Sequence, residues 1–307
     1  MMHNFPVVNC ITALLKNMHL HAGAILVHLS KNQIRPAGGV CDMRKQLFLF
    51  LSFLLLLASC QTVPITGRQQ LSIVPSDTVM GMSATAYDDF LKKHTVIVNT
   101  KDADMVKRVG QRIQWSVETY FRDQGLSDRL KGYRWEFNLV KDDAVNAWCM
   151  SGGKVVVYTG ILPVAQDEEG LAVVMGHEIS HAIARHGDER LSQGLVTQMG
   201  GVALSTALAQ KSKETQDLFL AAFGIGAQVG ILLPYSRVQE SEADRLGLIF
   251  MAMAGYNPAE AVDFWKRMAN AKKGAATPEF LNTHPADSKR IADIEKLLPE
   301  ARSYYKK

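Results

Sequence analysis

The sequence lacks a hydrophobic run long enough to cross a membrane. The apolar run over residues 47–58 has about 12 residues and the run LFLAAFGIGAQVGILLP about 17 with a glutamine, whereas a spanning helix needs about 20. The first run is therefore too short for a spanning helix, and a membrane helix over the second run is the less favoured alternative. We expect residues 191–233 to form a pair of buried or groove-covering helices instead.

An excess of one charge is also absent from most of the chain. The formal net charge is +4, but residues 1–59 hold five of the 34 basic residues and one of the 30 acidic residues. The rest of the chain therefore carries 29 basic and 29 acidic residues. A balanced chain has no general attraction for a polyanion, so we expect no nucleic-acid partner.

Residues 43–60, MRKQLFLFLSFLLLLASC, are typical of an export signal, with a basic start, a short apolar run and small residues before Cys60. The closing LASC resembles the bacterial lipobox, in which the cysteine is acylated and becomes the mature N-terminus. The alternative is a simple secretory signal that ends in a cysteine by chance. Gln61, rather than aspartate, follows Cys60, which by resemblance to sorted lipoproteins indicates the outer membrane of a Gram-negative bacterium.

These features divide the chain into four expected segments. They are residues 1–42, untranslated or absent from the mature protein; 43–59, a lipoprotein signal peptide; 60–75, a lipidated tether; and 76–307, a single domain. Met43 is then the true start. Because Cys60 carries lipid, Cys149 is the only cysteine left, which excludes an internal disulfide.

Hydrophobic periodicity and turn residues predict an α+β fold that is mostly helical. The predicted helices cover about 76–93, 101–123, 168–187, 235–254, 258–272 and 285–297. Residues 133–140 alternate as in a strand, and a Ser-Gly-Gly turn at 151–153 joins two extended arms into a hairpin. Asp167 can cap the helix that follows. We expect a small antiparallel sheet or hairpin beside that helix.

The motif GHEISH, residues 176–181, lies inside the helix that Asp167 caps. His177 and His181 are four residues apart, so their imidazoles lie on one helix face and can converge on one metal ion. Glu178 lies one step round the helix, where its carboxylate can take a proton from water without being a ligand. This arrangement is typical of a hydrolytic zinc site.

The stretch QESEADRLG, residues 239–247, contains candidates for the third protein ligand that a catalytic zinc usually takes. Glu240 and Asp244 are four residues apart and share a helix face. Glu242 is turned about 200° from Glu240, so we expect it to face solvent or Arg245. If this helix packs antiparallel against the histidine helix, one of Glu240 and Asp244 binds the metal. The other holds the far nitrogen of a histidine, and spacing leaves their order open.

Two further histidines are not expected in the site. On a continuous helix His186 would lie about 180° from His177, so we expect it to cap the negative helix end. His94 is expected to be solvated surface.

Several motifs occur in an order that resembles one family. They are CQTVPITGRQQL, VNAWCMSGGKVVVYTGIL, GHEISHAIARHGDER, SRVQESEADRLG, AGYNPAEAVDFWKRM and THPADSKRI. Through them the chain resembles the gluzincin metallopeptidases of the HtpX and CaaX-prenyl-protease type, especially their bacterial lipoprotein branch. The resemblance implies a zincin-like domain with one zinc per chain, Glu240 as metal ligand and Asp244 behind a histidine. It also implies that the strand at 154–159 lies beside the cleft, where an extended substrate adds as a strand.

His284, in the THP motif, matches a position that in some relatives reaches the metal as a fourth ligand or assists the transition state. As a ligand from a loop it would hold the enzyme latent until substrate displaced it. The alternative is a structural role at a helix entry, with Pro285 as the first helical residue.

The sequence therefore predicts a zinc-dependent endopeptidase, anchored by lipid in the outer membrane and facing the periplasm. The expected substrates, unfolded or misassembled envelope proteins, follow from the resemblance alone. One rival is a chaperone-like outer-membrane assembly factor that keeps the zinc site but seldom cuts. The other is a structural lipoprotein without metal. Loss of cleavage in a Glu178→Gln variant would distinguish the endopeptidase from the first rival. Zinc in the purified protein would distinguish it from the second.

Overall fold

The computed structural model describes residues 60–199, 215–216, 218, 222–223, 236–271 and 278–305. The expected signal peptide and the segment before it lie outside the described residues, as does most of the expected helix pair over 191–233. Among the helices described, none combines the length and the apolar character that a membrane span requires. The chain divides into two compact units, residues 1–73 and 74–307.

In the first unit the described residues form a short antiparallel hairpin. Strand β1 (Cys60–Thr62) pairs with β2 (Gln69–Leu71), and Gln61 lies opposite Gln70. The expected tether therefore contains regular structure. Lipidation of Cys60 stays a prediction.

The second unit is mostly helical, as the sequence predicts. Its helices are α1 (Ser76–Lys93), α2 (Lys101–Asp123), α3 (Leu162–Ala165), α4 (Glu168–Ile183), α5 (His186–Met199), α6 (Arg237–Met253), α7 (Glu260–Ala271), α8 (Phe280–Thr283) and α9 (Ser288–Tyr304). The first two match their predicted bounds. Short 3-10 helices cover Ser127–Leu130 and Thr159–Ile161.

A four-stranded sheet lies in the same unit. Its strands are β3 (Val96–Ile97), β4 (Glu136–Val140), β5 (Ala147–Met150) and β6 (Lys154–Tyr158), in the order β3-β4-β6-β5. The predicted hairpin is confirmed, because β5 pairs antiparallel with β6, with Cys149 opposite Val155. Strands β4 and β6 run parallel, so the sheet is mixed rather than wholly antiparallel.

This strand order changes which strand a substrate could extend. The strand that the sequence places beside the cleft, β6, is paired on both sides, with β4 and with β5. Its backbone groups are therefore already used. Within the described part of the sheet, the free edge on that side belongs to β5. The prediction for the 154–159 strand is wrong because sheet order depends on a non-local pairing with β4.

Helix α4 lies at the centre of the unit. Every residue from Gly170 to Ile183 is buried, as expected for a helix that is apolar on most of its faces. Asp167 caps it as predicted, since its Oδ1 accepts a hydrogen bond from the Gly170 amide at 3.0 Å. Helices α2, α6 and α7 and strand β5 pack around it.

Helices α4 and α6 approach each other backbone to backbone. A Cβ atom on Gly247 would lie 3.0 Å from the carbonyl carbon of Gly176 and from the amide of His177. Only glycine therefore allows this separation. Near the crossing His177 lies beside Asp244, while the later His181 lies beside the earlier Glu240. The two helices thus run antiparallel, as the sequence predicts.

We predict that Gly247→Ala lowers the free energy of unfolding by about 1–3 kcal/mol, because the added methyl group meets backbone atoms that cannot move aside independently. Chemical denaturation of the full chain measures the change.

Gly81→Ala is the matched control. Gly81 lies on the exposed face of α1, where an added Cβ has no neighbour within 4 Å, so alanine should stabilise that helix slightly. Equal effects of the two substitutions would contradict the packing argument.

Candidate metal centre

Four buried side chains direct their ligand atoms to one point. His177, His181, Glu240 and His284 each offer one atom, and these atoms all lie within 4.8 Å of one another. The Nε2 atom of His181 lies 3.0 Å from that of His177 and 3.3 Å from Oε1 of Glu240. Ligand atoms around a tetrahedral zinc lie about 3.3 Å apart, so the set fits this ion.

Local structure explains how these ligands come together. His177 and His181 lie one turn apart on α4. Glu240 lies in the first turn of α6, where a capping box fixes the helix start: Ser236 Oγ accepts from the Gln239 amide, and Gln239 Oε1 accepts from the Ser236 amide. His284, the fourth candidate ligand, directly follows α8.

Asp244 lies behind His177. Its Oδ1 is 3.0 Å from Nδ1 of His177, the ring nitrogen that faces away from His181. The structure thus places Glu240 among the converging ligand atoms and Asp244 against the far side of a histidine. This is the order that the family resemblance implies, while the functional roles themselves stay predictions.

Arg290 is a component of the site that the sequence reasoning did not single out. Its guanidinium donates to both Asp244 oxygens at 2.7 and 2.8 Å, and its Nη1 lies 2.6 Å from Oε2 of Glu240. The guanidinium also lies 3.5 Å above the ring of Trp265. The only signal in the sequence was its position in the THPADSKRI motif.

These charges set the pKa values of the cluster. Burial alone would lower the pKa of His177, but hydrogen bonds to Asp244 and Glu240 outweigh it and raise the pKa to about 9. Burial would raise the pKa of Glu240, but His284 and Arg290 hold it well below its usual range. Glu240 is therefore ionised, as a carboxylate that binds a metal must be.

Glu178 differs from the other carboxylates of the site. It is 2% exposed, and its Oε1 makes no hydrogen bond to the residues described. Burial raises its pKa to about 8, although the charges of His177 and Arg290 act in the opposite direction. A carboxylate with a pKa near neutrality is a stronger base than an ordinary one.

His284 belongs to the cluster rather than to a helix start. Its Nδ1 lies 2.9 Å from Oε1 of Glu240, its Nε2 lies 3.5 Å from Oε1 of Glu178, and burial lowers its pKa to about 4. Helix α9 begins at Ser288 with Asp287 as its cap. Pro285 is therefore not the first helical residue, and the predicted helix-entry role is wrong because the Asp287 cap sets a later start.

The segment that carries His284 is attached to the approach to the edge strand. The amide of Phe280 donates to the carbonyl oxygen of Val145 at 3.0 Å, two residues before β5. The rings of Phe280 and His284 stack with their centroids 4.5 Å apart.

The expected role of His186 as a helix cap is wrong. Helix α4 ends at Ile183, Arg185 takes a left-handed conformation with φ 57°, and His186 begins the next helix. The predicted angle of about 180° applies only to one continuous helix, and the helix is interrupted here. His186 is instead fully buried, with its Nδ1 2.9 Å from Nδ1 of His181.

The prediction for Glu242 is also wrong. Glu242 is 7% exposed, and its Oε2 lies 3.1 Å from Nε2 of His186. Arg245, its expected partner, instead donates two hydrogen bonds to Glu300. Helix α6 is buried on two faces because the start of α5 returns beside it.

The two remaining residues noted in the sequence lie outside the cluster. His94 is half-buried rather than solvated, since its ring stacks on Phe90 at 3.8 Å and its Nδ1 lies 2.8 Å from the Phe90 carbonyl oxygen. Cys149 is a buried free thiol in β5. Burial, and then the charge of Glu178, raise its pKa well above the usual range.

Comparison with known proteins assigns this geometry to a family. The model of "Peptidase family M48" matches residues 108–298, a range that includes the whole cluster. The chain belongs to this family. It is therefore a zinc metallopeptidase, and the donor set of the cluster agrees with that metal.

Similar proteins occur in eukaryotes and bacteria. The chain is 34% identical over 245 residues to the mitochondrial metalloendopeptidase OMA1 of Schizosaccharomyces pombe, covering 78% of this chain and 67% of that protein. It is 35% identical over 197 residues to the OMA1 protein of Saccharomyces cerevisiae, covering 62% and 54%. It is 32% identical over 163 residues to the beta-barrel assembly-enhancing protease of Escherichia coli, covering 51% and 33%.

The chain matches only part of the length of these relatives. The chain spans 54% of the Saccharomyces cerevisiae protein and 33% of the Escherichia coli protein. The match to the mitochondrial proteins extends over more residues than the match to the bacterial one. These similarities place the chain in the family, but they do not assign it to the lipoprotein branch.

We predict that Arg290→Met lowers the free energy of unfolding by about 3–5 kcal/mol, because it removes the buried positive charge that pairs with both the Asp244 and the Glu240 carboxylates. Denaturation of the metal-free full chain measures the loss.

Arg245→Met is the matched control, since it removes an arginine that also makes two hydrogen bonds to one carboxylate. The Arg245 and Glu300 side chains are 35% and 36% exposed, so the loss should be at most about 1 kcal/mol. Similar small losses in both variants would contradict a structural role for the buried pair.

Proposed function

We propose that the chain is an endopeptidase that hydrolyses peptide bonds within unfolded proteins. In this proposal His177, His181 and Glu240 hold zinc, and Glu178 is the catalytic base. The observation that carries it is the convergence of the ligand atoms within 4.8 Å, next to a buried glutamate with an oxygen that has no hydrogen-bond partner in the described structure.

The proposed chemistry is attack of water on a peptide carbonyl. Zinc, when bound, supplies Lewis acidity that polarises the carbonyl group and acidifies water. Glu178 takes the proton of the attacking water and returns it to the departing amine. Its burial keeps bulk water from competing for that proton.

Asp244 and Arg290 position the ligands in this scheme. Asp244 accepts a hydrogen bond from Nδ1 of His177, which leaves Nε2 of that ring directed at the cluster. Arg290 neutralises Asp244 and Glu240 together, so that two carboxylates can stay ionised in a buried site.

The free edge of β5 is the proposed binding surface for the substrate backbone. It packs against α4, the helix that carries His177 and Glu178. An extended peptide can add to this edge through main-chain hydrogen bonds, which do not depend on side-chain identity. This mode suits substrates that are recognised because they are unfolded.

We expect Glu178→Gln to abolish cleavage of unfolded casein while zinc stays bound, because the amide cannot accept the proton and the three ligands are intact. Cleavage and zinc content are measured on the wild-type and variant full chains.

His177→Ala is the companion variant, and it should lose both zinc and activity. Equal cleavage by the wild type and Glu178→Gln would overturn the proposed role of the base. Zinc binding without cleavage by the wild type would instead favour an assembly factor that keeps the site.

His284 is proposed as a latch on the site. Its Nδ1 lies among the ligand atoms and its Nε2 faces Glu178, so it occupies space that the substrate carbonyl and water need. We expect His284→Ala to raise basal cleavage of casein by the full chain. His94→Ala is the control for loss of a histidine far from the cluster, and unchanged or lower activity of His284→Ala would reject the latch.

The proposed location is the periplasmic face of the outer membrane, with an acyl chain on Cys60 as anchor and with envelope proteins as substrates. The support is the basic start, short apolar run and LASC sequence before Gln61. A mitochondrial transit peptide is amphipathic and rich in arginine and serine, unlike this continuous apolar run.

Labelled palmitate tests the anchor during expression of the full chain in a Gram-negative bacterium. We expect label on the wild type, no label on Cys60→Ser, and the labelled protein in the outer-membrane fraction. An unlabelled wild type would reject the anchor.

A further inference from the structure

A turn between two helices brings a fourth histidine, His186, behind the metal cluster. After α4 ends at Ile183, the left-handed residue Arg185 reverses the chain, and His186 begins α5. Tyr133 fixes the helix end, because its hydroxyl group donates to the carbonyl oxygen of Ala182 at 3.1 Å. His186 is therefore held against the side of α4 that carries His181.

Two contacts in a line connect His181, a member of the cluster, to His186 and then to Glu242 behind it. Nδ1 of His181 lies 2.9 Å from Nδ1 of His186, and Nε2 of His186 lies 3.1 Å from Oε2 of Glu242. His186 is fully buried, and Glu242 is 7% exposed. Two short contacts of this kind at buried rings fix the ring orientations.

Zinc binding through Nε2 of His181 sets the direction of the hydrogen bonds along this series. His181 faces the cluster through Nε2, so its proton is on Nδ1 and is donated to His186. Nδ1 of His186 must then be an acceptor, which places the proton of that neutral ring on Nε2. That proton is donated to the carboxylate of Glu242, which only accepts.

We propose that His186 and Glu242 form a positioning relay that fixes the tautomer and orientation of His181 for zinc binding. The inference rests on the zinc site of the proposed function and adds two residues to it. Neither residue contributes a ligand atom to the cluster, and both act through His181. His177 is held by the Asp244 carboxylate and His181 by a neutral imidazole, so the two ligands are supported by different chemistry.

The relay predicts which replacements preserve zinc binding. His186→Phe keeps an aromatic ring but removes the acceptor, and Glu242→Met removes the terminal acceptor. Each should weaken zinc binding by about 10–100-fold. His186→Asn and Glu242→Gln keep a side-chain oxygen that can accept, so they should stay within about threefold of the wild type, a small fraction of that range.

The experiment measures zinc affinity of the full-length variants by competition with a chelating dye. The visible spectrum of the cobalt-substituted protein reports ligand geometry, and thermal unfolding of the metal-free protein reports the fold. His94→Phe is the control for replacing a histidine that is outside the cluster. We expect weakened zinc binding and an altered cobalt spectrum for His186→Phe and Glu242→Met, with metal-free proteins that still unfold in one cooperative transition.

The outcomes separate the relay from the proposed function. Zinc binding by the wild type and, with equal affinity, by His186→Phe would overturn the relay alone. Equal weakening by Glu242→Gln and Glu242→Met would also overturn it, because charge rather than an acceptor would then matter. If His186→Phe fails to fold, the two Glu242 variants decide. A wild type that binds no zinc would overturn the proposed function and the relay together.

Discussion

Helices α4 and α6 touch through their backbones where Gly176 meets Gly247, and the metal cluster depends on this contact. With no side chain between the helices, short side chains on both of them reach the same point. His181 can then face Glu240 while the preceding turn places His177 against Asp244. Any larger residue at the crossing would separate the histidines from the carboxylates. The precision of the site therefore comes from packing that involves no catalytic group.

Close packing of this kind creates an electrostatic problem, because it buries two carboxylates that must stay ionised. Arg290, on α9, compensates both negative charges, because its guanidinium contacts Glu240 and Asp244. The same guanidinium lies on the ring of Trp265. Burial of unpaired charge is costly, so the three groups are stable only together. Oε1 of Glu178 has no hydrogen-bond partner among the described residues, and burial raises the pKa of this carboxyl group. One pocket thus holds two ionised carboxylates and a third, that of Glu178, with a much higher affinity for a proton.

Features that depend on local chemistry could be predicted from the sequence. The Asp167 cap, the Ser-Gly-Gly hairpin and the shared face of Glu240 and Asp244 follow from spacing within one element. Features that depend on distant segments could not. One left-handed residue, Arg185, redirects the chain and moves His186 from the predicted cap to the back of the cluster. The edge position of β5 and the contacts of Arg290 likewise arise from segments that are far apart in the chain.

That separation along the chain has a consequence for biosynthesis. His177 lies 107 residues before His284 and 113 before Arg290. A growing polypeptide therefore exposes both helical histidines well before it contains the guanidinium that lets the carboxylates remain buried and charged. The Glu240 and Asp244 carboxylates acquire their buried counter-ion only once α9 has been synthesised and has docked. The last described helix therefore completes the charge balance of the site.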